Sequence, residues 1–434
     1  MLIVLLACIS VAVAAPASEY SGRKRYDNYR LISVQPQNEQ QLKVMSDFQT
    51  KGYNSIFFDF WAGPTLKRPA EFTVSPSQYE KVMQYLQYNN MTPTVEVDDI
   101  QMFENIAEFE VKVQPELFFN NIVDHSQYHR YGQISEYLTG FANNFGSIAR
   151  KRSMFHTTYD GRTMDYLEIS TNGFAGTRRA ILIEAGIHAR EWISPAAILY
   201  ITDRLLATYT TDSEAAYMLN NFDWIIIPVT NPDGYEYSHT DDRYWRKNRN
   251  YRGGECMGVD LNRNFDARWG TTGVSSSCSS NIYPGTEPMS EVEAQNVQEL
   301  VADIQSGGTR LIGYLAVHSY SQMILLPYSH TLGSRPPNYQ DLDNYGISAG
   351  NALYNVHGRR FQVGTGPELL YAASGGSEDW AILRGSVKYS YCYELRPATV
   401  SEGGFVLPPS EIVPSGEELF ASFYNLAISF HNDI

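Results

Sequence analysis

The sequence predicts an α/β fold, a mixed and mostly parallel twisted sheet with helices on both faces, preceded by a small α+β open-sandwich domain. Two observations point there. Beyond Gln133, nearly continuous apolar runs of strand length alternate with stretches of helix length, as strands buried on both faces require. Between Arg30 and Ile106 shorter strands and helices alternate on their own, and the following stretch from Phe109 to Tyr131 lacks clear periodicity, which places a boundary there.

In chain order, the first apolar run is Leu2 to Ala15. It is too short to span a bilayer and contains the small residues Ala12-Val13-Ala14, so it reads as a secretory signal peptide over 1–14. Residues 15–115 form the first domain, with strands expected at Tyr29 to Val34, Ser55 to Trp61 and Thr92 to Val97 and helices at Glu39 to Gln49 and Ser77 to Asn89. A short domain between a leader and a larger domain is most simply a propeptide; an unrelated binding domain is the alternative. Residues 116–434 form the main domain. Strands are expected there at Ile181 to Ala185, Trp224 to Val229, Leu311 to Val317 and Lys388 to Tyr393. Helices are expected at Ser194 to Tyr209, Glu291 to Gln305, Tyr339 to His357 and Gly416 to Phe430. Gly346-Ile347-Ser348-Ala349-Gly350 fits the serine-hydrolase elbow, but that turn needs an apolar strand before it and Gln340 to Tyr345 is polar.

Composition bounds the partners. A net charge of −15 over 434 residues argues against nucleic acid and against an anionic membrane, both of which want a basic face, and fits a soluble extracellular enzyme. Of the four cysteines, Cys8 leaves with the leader. Cys256 and Cys278 flank a Gly/Asn/Ser-rich excursion and are the expected disulfide of an oxidising compartment, a closure that contributes roughly 3 kcal/mol. Cys392 sits in a strand-like run and reads as an inert buried thiol. Asn90-Met91-Thr92 is a glycosylation sequon.

Three strand ends carry chemistry. The apolar run at Ile181 ends in a glycine turn that presents His188 and Glu191; Leu315-Ala316-Val317 leads into His318; Tyr391-Cys392-Tyr393 leads into Glu394. Two imidazoles and a carboxylate are the ligand set of an open catalytic zinc site, and a further carboxylate nearby can take a proton from water. In an α/β sheet such groups gather at the carboxyl ends of the strands. Either histidine alone is more often structural; convergence is what singles the set out.

Ile187-His188-Ala189-Arg190-Glu191-Trp192, Trp245-Arg246-Lys247-Asn248-Arg249, Asp260-Leu261-Asn262-Arg263-Asn264, His318-Ser319-Tyr320-Ser321-Gln322, Tyr371-Ala372-Ala373-Ser374-Gly375-Gly376 and Tyr393-Glu394-Leu395-Arg396 resemble, in order, the signature blocks of the pancreatic-type zinc carboxypeptidases. The likeness runs over nearly all of the chain after Asp124, and the N-terminal region, with Phe58-Asp59-Phe60-Trp61, resembles the family's activation peptide. The resemblance implies a secreted digestive-type zymogen, closest to a procarboxypeptidase B, with one Zn2+ held by His188, Glu191 and His318. It implies that Asp260 orients His188, that Glu394 is general base and then proton donor, and that Arg249 polarises the scissile carbonyl. Asn262, Arg263 and Tyr371 would clamp the free α-carboxylate of a peptide or protein C-terminus, with Arg190 also among the substrate-binding residues. An arginine in a dead-end pocket accepts a chain terminus and rejects an internal peptide, which has no charge to pair with it.

The same resemblance puts the discriminating pocket position at Glu378, where basic-specific members carry Asp, and Ser329 and Gly366 also match the basic-specific pattern. The expectation is therefore removal of C-terminal Lys or Arg. The extra methylene of Glu over Asp leaves open an apolar, carboxypeptidase A-like preference, and a non-catalytic secreted binding protein on the same fold is the third alternative. The propeptide is expected to inhibit, an activating protease is expected to cut near Lys112, and Arg396-Pro397 stands where the family commonly has a cis bond.

Overall fold

The computed structural model describes residues 22–54, 56–110, 122–176, 178–254 and 256–433. The signal peptide expected over 1–14 and the activation cut expected near Lys112 fall outside the described residues.

The N-terminal domain runs β1 (Arg30–Val34), α1 (Glu39–Lys51), β2 (Phe60–Ala62), β3 (Ala70–Val74), α2 (Tyr79–Tyr88), β4 (Pro93–Val97) and α3 (Ile100–Glu110). Its four strands form an antiparallel sheet in the order β2-β3-β1-β4. Ile32, Val34, Phe72 and Val74 pack from the sheet onto Met45 and Phe48 of α1 and Val82 and Leu86 of α2, the one-sided layering expected of an open sandwich. The strand read at Ser55 to Trp61 starts later, at Phe60. Tyr53 and Ile56 instead exchange backbone hydrogen bonds of 2.9 Å across a tight turn, with Asn54 at φ 50°. Strand β3 was not anticipated; it is only five residues long and follows the charged stretch Lys67-Arg68.

The main domain continues with α4 (Tyr131–Asn144), β5 (Ala149–Ser153), β6 (Asp165–Ile169), β7 (Arg179–Ala185), α5 (Ile193–Thr208), α6 (Ser213–Asn221), β8 (Asp223–Ile227) and α7 (Pro232–Thr240). It closes with α8 (Val292–Ser306), β9 (Arg310–Ser319), β10 (Met323–Leu326), α9 (Tyr339–His357), β11 (Gln362–Thr365), α10 (Gly366–Leu369), α11 (Ser377–Leu383), β12 (Tyr389–Leu395) and α12 (Ile412–Asn432). The eight strands lie in the order β11-β10-β12-β9-β7-β8-β6-β5. β12, β9, β7 and β8 are parallel, while β5, β6 and β10 run antiparallel to neighbours, so the sheet is mixed with a parallel centre.

Alternation along β7 explains the two cores. Ile181 and Ile183 face a layer that includes α5 and α12, while Ala180 and Leu182 face α8 and Trp380 of α11. Helix α12 begins at Ile412, earlier than the glycine at 416 suggested, and Gly416 has a specific reason: a Cβ there would stand 2.3 Å from the Tyr200 ring, so only glycine lets α12 approach α5. No described helix is long and apolar enough to cross a membrane.

Candidate active site

The register of the parallel centre brings the strand ends together. Glu394 of β12 pairs with His318 of β9, and Ala185 of β7 pairs with Val317 of β9, so three adjacent strands end at one level. Past β7 the chain turns at Gly186, φ 62°, where a side chain would meet Pro195 and Val229, and delivers His188 and Glu191 ahead of α5.

His188 Nδ1 lies 2.8 Å from Glu191 Oε1, His318 Nδ1 lies 3.1 Å from Glu191 Oε2, and the two imidazole nitrogens are themselves 3.1 Å apart. The candidate ligand atoms all lie within 4.8 Å of one another, and all three residues are buried. Asp260 Oδ1 stands 3.1 Å from His188 Nε2. Burial pushes the Asp260 carboxyl up, but Arg246, Arg263 and His188 outweigh it and hold it well below the carboxylate range. An ionised Asp260 only accepts, so it fixes the proton on Nε2 and leaves the Nδ1 lone pair facing Glu191 and His318. Burial lowers His318, yet Glu191 more than reverses this and raises it to about 9. The cluster therefore draws positive charge to its centre, and once His318 gives up its proton, two neutral nitrogens with one carboxylate suit Zn2+.

Around these ligands lies a cavity lined also by Arg246, Asn262, Arg263, Ser329, Gly366, Tyr371, Glu378 and Glu394, residues brought together from blocks remote in sequence. Burial pushes the Glu394 carboxyl up to about 8, with Glu191 adding to it while His318 and Arg246 oppose. Arg263 is held by Gly273 O at 2.9 Å from Nε and by Asn262 O at 2.9 Å from Nη1, which fixes its plane. Asn262 Oδ1 accepts the Ser377 N–H at 2.9 Å, leaving its amide nitrogen as a donor. Tyr371 lies 5.8 Å from Arg263, ring centroid to guanidinium carbon.

Glu378, at the start of α11, receives the Ser329 hydroxyl on Oε1 at 3.2 Å; its Oε2 is buried and has no hydrogen-bond partner among the described residues. Gly366 supplies room: a Cβ there would stand 3.0 Å from Ser329 Oγ. Cys392, two residues before Glu394, is the buried thiol the sequence suggested; burial pushes it up, and it also lines the cavity.

Two residues expected to touch substrate are not among those that line the cavity. Arg249, expected at the scissile carbonyl, lies over the Tyr237 and Trp245 rings at 3.5 and 4.5 Å, and Arg246 occupies the cavity wall instead, with Nε and Nη2 at 3.1 and 2.9 Å from Asp260 Oδ2. The physical reason is that the loop bends at Lys247 and the buried carboxylate of Asp260 draws Arg246 inward. Arg190, expected to touch substrate, instead meets the N-terminal domain. Its Nη1 contacts both Asp59 oxygens at 2.7 and 2.8 Å, Nη2 donates to Phe60 O at 3.0 Å, and the guanidinium sits 4.2 Å from the Phe405 ring.

The N-terminal domain reaches the cavity mouth. Trp61 lines the cavity and packs on Tyr244 and Phe405 at ring distances of 5.1 and 5.2 Å. Arg68 donates to Ser321 Oγ at 3.2 Å, Tyr320 donates to Glu71, and Gly63 approaches Tyr371 so closely that a Cβ would stand 2.7 Å from its ring. Cys256 and Cys278 form the disulfide, with Cα atoms 5.1 Å apart, and Arg396-Pro397 is cis.

Residues 134–422 match the family described as zinc carboxypeptidase, and residues 32–103 match carboxypeptidase activation peptide. Zinc carboxypeptidase A 1 of Anopheles gambiae is 34% identical over 427 residues, covering 97% of this chain and 93% of that protein. Carboxypeptidase B of Astacus astacus is 39% identical over 300 residues, covering 69% and 95%. Among solved structures, carboxypeptidase A from Helicoverpa armigera superposes with a TM-score of 0.83 at 30% identity, covering 94% of this chain and 98% of that one.

Proposed function

The chain belongs to the zinc carboxypeptidase family, with an activation-peptide domain ahead of the catalytic one, and from that premise we propose that this zymogen, once cut, removes C-terminal Lys or Arg from peptides one residue at a time. The observation that carries the basic preference is the buried, unpartnered Oε2 of Glu378 on the cavity wall. A carboxylate oxygen shut away from water without a donor is costly unless a ligand supplies one, and a guanidinium or ammonium does so with charge. The non-catalytic alternative falls to the family membership together with the His188, Glu191 and His318 zinc site.

In this reading Arg263 and the Asn262 amide grip the α-carboxylate, Tyr371 covers it, and Arg246 faces the scissile carbonyl oxygen. When bound, zinc supplies Lewis acidity, polarising that carbonyl and making water a better acid at about pH 7. Glu394 takes the proton from the attacking water and returns it to the departing amine; burial supports this role by raising its basicity to about 8. The N-terminal domain inhibits by standing over the mouth through Trp61 and the Asp59–Arg190 pair. The leader over 1–14 and the disulfide support secretion, with the activating cut near Lys112.

The test is kcat/KM on matched peptides ending in Arg and in Phe, before and after Glu378→Ala. Preference for Arg that Glu378→Ala abolishes is the expected result; preference for Phe in the unaltered enzyme would overturn the basic reading.

A further inference from the structure

Glu184 lies on β7, four residues before the first zinc ligand, in a strand whose neighbouring positions are aliphatic. It is fully buried, and its Oε2 accepts two hydroxyls, from Ser377 Oγ at 2.6 Å and from Tyr314. Its Oε1 has no hydrogen-bond partner among the described residues. A carboxyl buried with one oxygen unmatched is unfavourable for folding, so the two hydroxyl contacts are what this position provides.

Ser377 is the first residue of α11 and is held from two sides. Its hydroxyl is tied to Glu184 on the zinc strand, and its N–H donates to Asn262 Oδ1 at 2.9 Å in the carboxylate-binding block. Glu378 follows directly, with its carbonyl accepting from Ser390 Oγ of β12 at 2.8 Å and its carboxyl wedged against Gly376, where a Cβ would stand 2.6 Å from either carboxyl oxygen. Ser377 cannot shift without breaking contacts to both blocks, and Glu378 and the Asn262 amide must move with it.

We propose that Glu184 is a positioning residue for substrate discrimination: through Ser377 it sets where Glu378 and Asn262 stand relative to the metal ligands. This deepens the specificity reading above and rests on it only for which terminal side chain is favoured.

The test uses the full chain, activated by limited proteolysis near Lys112, as unaltered protein, Glu184→Gln and Glu184→Leu. Zinc content and thermal midpoint are measured beside kcat and KM on the Arg and Phe peptides. Glu184→Leu is expected to shrink the ratio of kcat/KM between favoured and disfavoured termini by at least about tenfold, chiefly through KM of the favoured one, as small misplacements of a binding group do. Glu184→Gln keeps an oxygen for both hydroxyls and is expected to stay within about threefold of the unaltered ratio. A zinc-loaded, folded Leu variant whose ratio is unchanged, or whose two rates fall equally, overturns the proposal, as does failure of Gln to restore the ratio. Should the Leu variant not fold, Ser377→Ala removes one hydroxyl alone; it must shrink the ratio in the same direction, and an unchanged ratio overturns the proposal. If the unaltered enzyme favours Phe, the Glu378 reading fails while the collapse of the ratio still tests Glu184.

Discussion

Asp59 sets both of its carboxylate oxygens against Nη1 of Arg190, 2.7 and 2.8 Å away, and also accepts from Asn281 Nδ2 at 2.6 Å. One side chain of the N-terminal domain thus ties down two blocks of the catalytic domain, beside Trp61 at the cavity mouth. Because Arg190 is buried, removing its partner leaves a desolvated charge and weakens docking by about 1–3 kcal/mol. Asp59→Ala is expected to raise turnover by the uncut chain at least about fivefold, from the same energy. Unchanged residual activity in an uncut, folded variant would show that the pair does not hold the domain closed.

Removal of the metal should act on stability as well as rate. A ligand that binds only the folded protein stabilises it, and a loss of about 1 kcal/mol lowers the thermal midpoint by roughly 2–4 °C in a domain of this size class. Dialysis against a chelator is expected to lower the midpoint and abolish turnover, with zinc restoring both, and His318→Ala should lose the zinc-dependent part of the midpoint.

Glu394→Gln preserves shape but not basicity. The variant is expected to keep zinc and nearly the same KM while kcat falls by about 100- to 10,000-fold, the range general acid–base catalysis contributes. Retained kcat would assign the base to another group.

A pH effect on stability follows from Glu293, buried beside Glu291, with Asn248 Nδ2 donating to both at 2.9 and 3.0 Å. Burial pushes Glu293 up from 4.5 to about 8, and Glu291 adds to it. Between those values the unfolded chain ionises while the folded one holds the proton, so this site's contribution to stability falls as pH rises from about 4.5 to about 8. Glu293→Gln is therefore expected to leave the midpoint nearly unchanged at pH 5 and raise it by several degrees at pH 8, one pKa unit corresponding to about 1.4 kcal/mol. Equal shifts at both pH values would contradict a protonated Glu293.

The metal ligands were legible in the sequence because each stands at or just past the end of an apolar run, and parallel neighbours end together. Helix α9 coincides with its expected span, Tyr339 to His357, since its apolar stripe is flanked by polar turns. The edge strands were not legible: β5 reads Ala149-Arg150-Lys151-Arg152-Ser153, and an edge keeps its charges outward. Arg246 and Arg249 share one block, and only the path of the loop decides which enters the cavity. The contact of Arg190 with Asp59 was not legible for a different reason: Asp59 belongs to another domain, and no local pattern records a contact 131 residues apart.

Release of the terminal arginine from a peptide with a free α-carboxylate, set against its C-terminally amidated twin, tests the central claim most directly. In the proposed clamp Arg263 and Asn262 pair with the free carboxylate, so the activated enzyme should cut the first and leave the second intact. Comparable rates on both would contradict the carboxylate clamp and with it the exopeptidase mechanism derived for this site.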